Sequence, residues 1–356
     1  MQVLSDATDE PPFTSDEVLE HTKSMNPNRA PGHDNLTSDI CSSVISMYPD
    51  VMTSLSNRCL ELGHFPTSWK EARVRVIPKP GKDDYTQLTS LRPIGLLPVF
   101  GKLLEKLFIK RLTYAAQTSR SWSERQYAFK EQTSTAEALR VFIKKIVTAK
   151  QQGRHVIGVS LDIKATFDNA WWPALMERLR RTSCPRNIHR LISSYLQDRR
   201  VSLDFADARA SKSMTKGCIQ GSICGPTFWN LILDELLIDI QLPPNYHIQA
   251  YADDVMLIVE GTTLTDVQST VNFALDYIMK WGESVKLTFS PSKTQAIAFT
   301  NESKTAKIVM GDVDVNFTSE IKLLGVIIDN NLTFVKHVRH VIKKTTLRQC
   351  AGLLSR

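Results

Sequence analysis

At 356 residues the chain can bury a sizeable core and hold two or three subdomains, because single cores stop growing near roughly 250–300 residues. Hydrophobic residues make up 42%, yet no apolar run approaches a membrane span, and the acidic start Met1–Pro12 lacks the features of a signal peptide. The net charge of +7 leans towards a polyanionic partner without specifying one, and six scattered cysteines with no Cys-x-x-Cys pair argue against a disulfide framework or zinc knuckle and for a reducing intracellular compartment.

The first expected helix runs from Ser15 to about Met25, with Thr14 and Glu17 in capping-box spacing. A Pro/Gly/Asn-rich loop, Asn26–Asn35, precedes helical periodicity across Leu36–Leu62, and Ala72–Lys82 reads as extended and basic. Helices are expected over Leu103–Thr113 and Thr135–Lys150, both with clustered Lys and Arg. Val156–Asp162 reads as a buried strand, Pro173–Arg181 as a helix, and Pro226 opens an apolar helix to Ile240. His247–Ala252 and Val255–Val259 are apolar runs separated by Asp253-Asp254, a hairpin signal. Val267, Val271, Ala274, Leu275 and Ile278 mark one face of a helix ending near Gly282. Strands follow at Gln295–Thr300 and Lys322–Ile328, then a basic helix from Phe334. His337 and His340 on it read as solvated side chains, since no Cys or carboxylate cluster accompanies them. The pattern predicts an α+β fold with an antiparallel sheet and helices on one face.

An Asp-Asp turn by itself can simply face water. Its meaning changes if the strand ending in Asp162 neighbours the hairpin, because Asp162 then lies beside Asp253. Clustered carboxylates repel, and buried strands that hold them together make sense when divalent cations neutralise them. Two Mg²⁺ ions roughly 3.5–4 Å apart would activate a primer 3′-hydroxyl and stabilise departing pyrophosphate, with Mn²⁺ as a substitute.

The series of motifs is more specific. Leu161-Asp162-Ile163-Lys164-Ala165-Thr166-Phe167-Asp168-Asn169 resembles motif A of reverse transcriptases, Tyr251-Ala252-Asp253-Asp254 their motif C, and Gly217–Pro226 their motif B in the form found in non-LTR retrotransposons. Val76–Lys82, Leu91–Leu97 and Gly101–Lys106 are similar to the fingers motifs, and Asn28–Asp34 to the N-terminal motif. Leu287–Thr294 is similar to motif D and Ile321–Asp329 to motif E. The resemblance covers about residues 12–345, with Asp168–Leu175 and Ser222–Pro226 most like ribosomal-DNA-inserting and telomere-targeting elements and Jockey-like elements nearby.

The resemblance implies a right-hand polymerase: a flexible N-terminus at 1–11, fingers at 12–150, palm at 151–310, and the palm–thumb motif with a truncated thumb at 311–356. Asp162, Asp253 and Asp254 match the metal-binding carboxylates, and Lys293 a proton donor to pyrophosphate. Phe167 matches the ring that excludes a 2′-hydroxyl, Gln220 and Gly221 the residues along incoming nucleotide and template, and Lys79 and Arg92 the triphosphate-holding cations. Residues 331–356 carry Lys336, Arg339, Lys343, Lys344, Arg348 and Arg356 with no acid, suited to duplex phosphates or else a solvated face. The implied partners are an RNA template, a DNA primer and dNTPs, with no membrane. The endonuclease of complete elements is expected to lie outside this chain, the reaction in the nucleus and assembly with element RNA in the cytoplasm.

Three motifs depart from the family pattern. Ala165-Thr166 replaces Gly-Ala in motif A, Ile219 replaces Pro before Gln220, which is expected to loosen that turn, and Asn35 replaces Gly after Asp34. Two rival readings follow: a decayed or truncated copy that binds RNA without polymerising, and an RNA-dependent RNA polymerase or maturase-like protein, against which Phe167 argues.

Overall fold

The computed structural model describes residues 7–82, 84–119, 122–240 and 245–354, with side chains to 346 in the last stretch. The chain divides into two compact units, Met1–Ser123 with Ala165–Glu235, and Glu124–Lys164 with Leu236–Arg356. Each unit is discontinuous, so neither coincides with the contiguous intervals 12–150, 151–310 and 311–356. Among the described residues no helix is long and apolar enough to cross a membrane.

In the first unit, α1 (Ser15–Lys23) starts on the expected capping box, with the Glu17 amide donating to Thr14 Oγ1 at 3.2 Å. The expected run Leu36–Leu62 is two helices, α2 (Ser38–Met47) and α3 (Pro49–Leu62). Pro49 has no amide proton to continue α2 and instead takes the first turn of α3. β1 (Glu71–Pro78) pairs antiparallel with β2 (Leu91–Leu96), placing Ile77 opposite Arg92. Pro93 hides β2 from a propensity reading, and it is tolerated because β2 is the edge of a sheet ordered β2-β1-β4-β5. α4 (Val99–Thr118) outruns its expected bounds and buries Leu103, Leu104, Leu107, Phe108 and Leu112.

The second unit contributes α5 (Thr135–Gln151) and β3 (His155–Leu161). The first unit then resumes with α6 (Trp172–Arg181), α7 (Arg186–Leu196), β4 (Arg200–Phe205), β5 (Ala208–Ser213) and most of α8 (Cys224–Asp239). Of these, α7, β4 and β5 lie outside the expected elements. α7 carries helical apolar spacing at Ile188, Leu191, Ile192 and Tyr195, whereas β5 is exposed throughout and has no alternation to reveal it.

The second unit's main sheet adds β6 (Tyr246–Tyr251) and β7 (Asp254–Gly261) beside β3. After α9 (Leu264–Ser284) come β8 (Gln295–Ala298), the short pair β9 (Val309–Met310) and β10 (Val313–Asp314), and β11 (Phe317–Thr318). The order is β11-β8-β3-β7-β6, antiparallel except for β11 on β8. Both faces are covered, correcting the expectation of helices on one face. Val156, Met256, Ile258 and Ile297 join Phe142 and Ile146 of α5 in one cluster. The alternate residues Ile157, Val159, Leu257 and Val259 are equally buried, and α9 packs on β7 and β3. Continuous rather than alternating apolar runs are what this double burial requires.

The expected strand Lys322–Ile328 is a hairpin, β12 (Glu320–Leu323) and β13 (Val326–Asp329), turned by Leu324 and Gly325 at φ 49° and 87°. It lies on the α5 side of the sheet. α10 (Val335–Leu354) follows.

Candidate active site

The β3–β7 register places Leu161 opposite Val255, so Asp162 and Asp254 are the next positions at the same end of the ladder. Tyr251 pairs with Asp254, which makes the two-residue turn Ala252-Asp253 rather than Asp253-Asp254; the shift arises because Ala252, at φ 56°, is where the chain reverses. Asp254 is therefore the first residue of β7, with Asp253 beside it in the turn. Burial, then the negative charges of Asp253 and Asp162, push the Asp254 carboxyl up to about 6. A carboxyl raised by burial and by neighbouring like charges is the kind of group that recurs at functional sites.

Asp162 Oδ2 has no hydrogen-bond partner among the described residues, and the Lys293 ammonium stands 3.6 Å away. Backbone bonds bring Lys293 there: Ser290 donates to the Asp162 carbonyl at 2.8 Å and Lys164 to the Thr288 carbonyl at 2.8 Å. The Lys293 and Thr294 amides turn back onto the Ser290 carbonyl at 3.1 and 2.9 Å. No three His, Cys, Asp or Glu among the described residues form a ready-made metal cage. An orphaned carboxylate oxygen and a repelling Asp254 nevertheless fit a hard cation such as Mg²⁺, which takes one or two carboxylates and fills its remaining positions with water and substrate oxygens.

Gln126, which sequence reasoning passed over, holds the turn. Its buried amide accepts the Ala252 N–H at 3.1 Å and donates to the Ala252 carbonyl at 3.4 Å. Tyr127 N–H donates to the Ala250 carbonyl at 2.9 Å, lashing the same segment to β6. A lone Gln between Arg125 and Tyr127 carries no periodic or motif signal of this role.

The remaining candidates lie in the first unit. Phe167 is half-buried on a short 3₁₀ turn, its ring 6.0 Å from that of Trp229. Gly217 and Cys218 donate to the Ala170 and Phe167 carbonyls, both at 2.7 Å, so motif B is laced to the end of motif A and the residue after it. Gln220 accepts the Gly95 amide at 2.7 Å, and a Cβ at Gly221, where φ is 117°, would stand 2.4 Å from the Gly95 carbonyl oxygen. Ile219 does not loosen this turn. It is buried with Ala72 and Leu97, and its carbonyl accepts the Ser222 amide at 3.0 Å.

Glu105 is a second residue that sequence reasoning missed. Nearly fully buried on α4, it accepts the Ile223 and Cys224 amides at 2.6 and 3.3 Å and so caps the start of α8. Lys79 and Arg92 share one face of the β1–β2 hairpin. Arg92 is exposed, whereas Lys79 Nζ donates to the Thr89 carbonyl at 3.0 Å. In the second unit, Lys336, Arg339, Lys343 and Lys344 are exposed on α10, Lys336 pairing with Glu320. His340 is exposed too, and His337 accepts the Ile327 amide at 3.4 Å. The Arg348 side chain and Arg356 lie outside the described residues.

The antiparallel sheet thus gathers its carboxylates at one end, with a lysine held beside them. The chain belongs to the reverse transcriptase family: the model for "Reverse transcriptase (RNA-dependent DNA polymerase)" matches residues 77–328. Over 89% of its length it is 31% identical to a putative 115 kDa protein in the type-1 retrotransposable element R1DM of Drosophila melanogaster, covering 30% of that protein. Identity is 28% to the RNA-directed DNA polymerase from mobile element jockey of Drosophila funebris, over 92% of the chain and 36% of that protein. It is 29% to a probable RNA-directed DNA polymerase from transposon X-element of Drosophila melanogaster, over 95% and 37%. The chain thus spans about a third of the length of these relatives. Reverse transcriptases as a family use divalent metal ions.

Proposed function

We propose that this chain is the polymerising part of a non-LTR retrotransposon protein and catalyses RNA-directed DNA synthesis, adding dNTPs to a primer 3′-hydroxyl. The observation that carries the reading is the register that brings Asp162 and Asp254 to the same end of the β3–β7 ladder, with Asp253 in the adjoining turn and Lys293 3.6 Å from Asp162. Bound there, two Mg²⁺ ions would lower the pKa of the attacking hydroxyl and offset charge on the leaving pyrophosphate. Asp162 and Asp253 would hold the ions and Asp254 would support them. Lys293, beside Asp162, would protonate the pyrophosphate.

Lys79 and Arg92 would neutralise the triphosphate; for Lys79 this means exchanging the Thr89 carbonyl for phosphate oxygens. Gln220 and Gly221 would line the path of nucleotide and template, on the turn that Gly95 and Ile219 brace. Phe167 would exclude a 2′-hydroxyl. The exposed cations of α10 would contact duplex phosphates without reading sequence. With an RNA template and a nicked DNA primer, synthesis belongs in the nucleus and assembly with RNA in the cytoplasm.

The test is magnesium-dependent dNTP incorporation by the purified chain on a primed RNA template, with Asp253→Asn as control. Incorporation by the wild type, abolished in the variant while its thermal melt stays intact, is expected. Equal incorporation by both proteins overturns the carboxylate assignment, and a preference for NTPs overturns the role of Phe167.

A further inference from the structure

At the opposite end of the main sheet from the carboxylates, where β3 begins and β7 ends, the second unit has a groove of about 550 Å³. Its wall is the outward face of α5. Arg140, Lys144, Thr148 and Gln152 recur there at near-helical intervals, Lys145 flanks them, and Arg154 closes the end. At 1.5 Å per residue, Arg140 to Gln152 spans about 18 Å. The buried Phe142, Ile146 and Ala149 fix α5 on the sheet and so keep this face turned outward.

The electrostatics are one-sided. Arg140 pairs with Glu137 on its own helix, and Arg154 with Glu260, the single acid among the described residues of the lining. Lys144 and Lys145 are exposed and have no carboxylate partner among the described residues. After burial itself, Lys145 and Arg125 are what lower the pKa of neighbouring His247, so the positive field reaches the start of β6.

We infer that this groove binds the phosphate backbone of folded, double-stranded RNA, separate from the template–primer held at the carboxylate end. The inference rests on the reverse transcriptase reading for the choice of RNA. Single-strand sites stack bases on aromatic rings, and the described residues of this lining include none. Duplex RNA instead presents phosphates and 2′-hydroxyls, which Lys, Arg, Thr and Gln side chains can contact without reaching bases. About 23 Å of β3 separates His155 from Asp162, so the groove does not depend on the catalytic end.

The test is fluorescence-anisotropy binding of a labelled RNA hairpin to the purified chain, wild type against Lys144→Gln/Lys145→Gln and Lys144→Arg/Lys145→Arg, across a salt series. The Gln pair is expected to weaken hairpin binding about tenfold and to flatten the salt slope by about 1–2, while the Arg pair retains both. Incorporation on a short, unstructured primed template should be unchanged in all three. Hairpin affinity within twofold of wild type in the Gln pair overturns the inference, as does tighter binding to an unstructured strand than to the hairpin. A Gln-pair defect that appears equally on the short template assigns these lysines to the template path and also overturns it. Because binding is read without catalysis, an inactive chain would sink the polymerase reading while leaving this test intact.

Discussion

Lys293 Nζ stands 3.6 Å from Asp162 Oδ2, close enough for direct charge pairing and too far for a hydrogen bond. The lysine is aimed by backbone bonds between its own loop and the segment around Asp162, not by a packed side chain, and its tip is exposed. That leaves it able to swing to a leaving group. Lys293→Leu should slow single-turnover incorporation by about 10²-fold with little change in template affinity. An unchanged rate in rapid-quench measurements would remove Lys293 from the chemistry.

Asp254 gives a pH signature. Its folded pKa, about 6, lies above the ordinary 3.8, so between those values the folded chain keeps a proton that the unfolded chain releases. Stability therefore falls as pH rises through that window, and the penalty is fully present above it. Asp254→Asn should raise Tm near about pH 7.5 in EDTA, with the gain vanishing below about pH 4. Saturating divalent cation should raise the wild-type Tm at neutral pH and do less for the variant. A gain that is the same at both pH values would refute the electrostatic origin.

Gln126 predicts a split between stability and rate. Its side chain satisfies both polar groups of Ala252 and also accepts the Ala128 amide at 3.1 Å. Gln126→Ala should cost about 1–3 kcal/mol in denaturant unfolding and lower kcat at least tenfold, because the turn that carries Asp253 loses its clamp. If stability drops while kcat holds, Gln126 serves the fold alone.

Ala165 sits at φ 47°, a left-handed conformation that costs a non-glycine residue roughly 1–2 kcal/mol. Glycine would relieve this and return part of the gain as chain entropy. Ala165→Gly should therefore stabilise the chain by up to about 1 kcal/mol, seen as a Tm rise of about 2 °C. A lower Tm would mean that the methyl group contributes packing that offsets the strain.

The amino-acid order by itself determined what local chemistry can specify. The Thr14–Glu17 capping box, the apolar runs of β3, β6 and β7, and the amphipathic stripe of α9 all rest on interactions a few residues apart, and each element formed. It also supplied the motif series, which singled out Asp162, Asp253, Asp254 and Lys293 as candidates before any geometry. What only tertiary structure decided was contact between distant segments: Asp162 level with Asp254, Gln126 clamping Ala252, Glu105 capping α8, and Gly95 bonded to Gln220. Strand register and buried hydrogen bonds are selected by how well whole faces pack and by the cost of unpaired polar groups, and neither quantity is written in the spacing of residues along one segment. For the same reason β2 and β5 stayed hidden, since an edge proline and a fully exposed strand take their conformation from neighbours rather than from their own side chains.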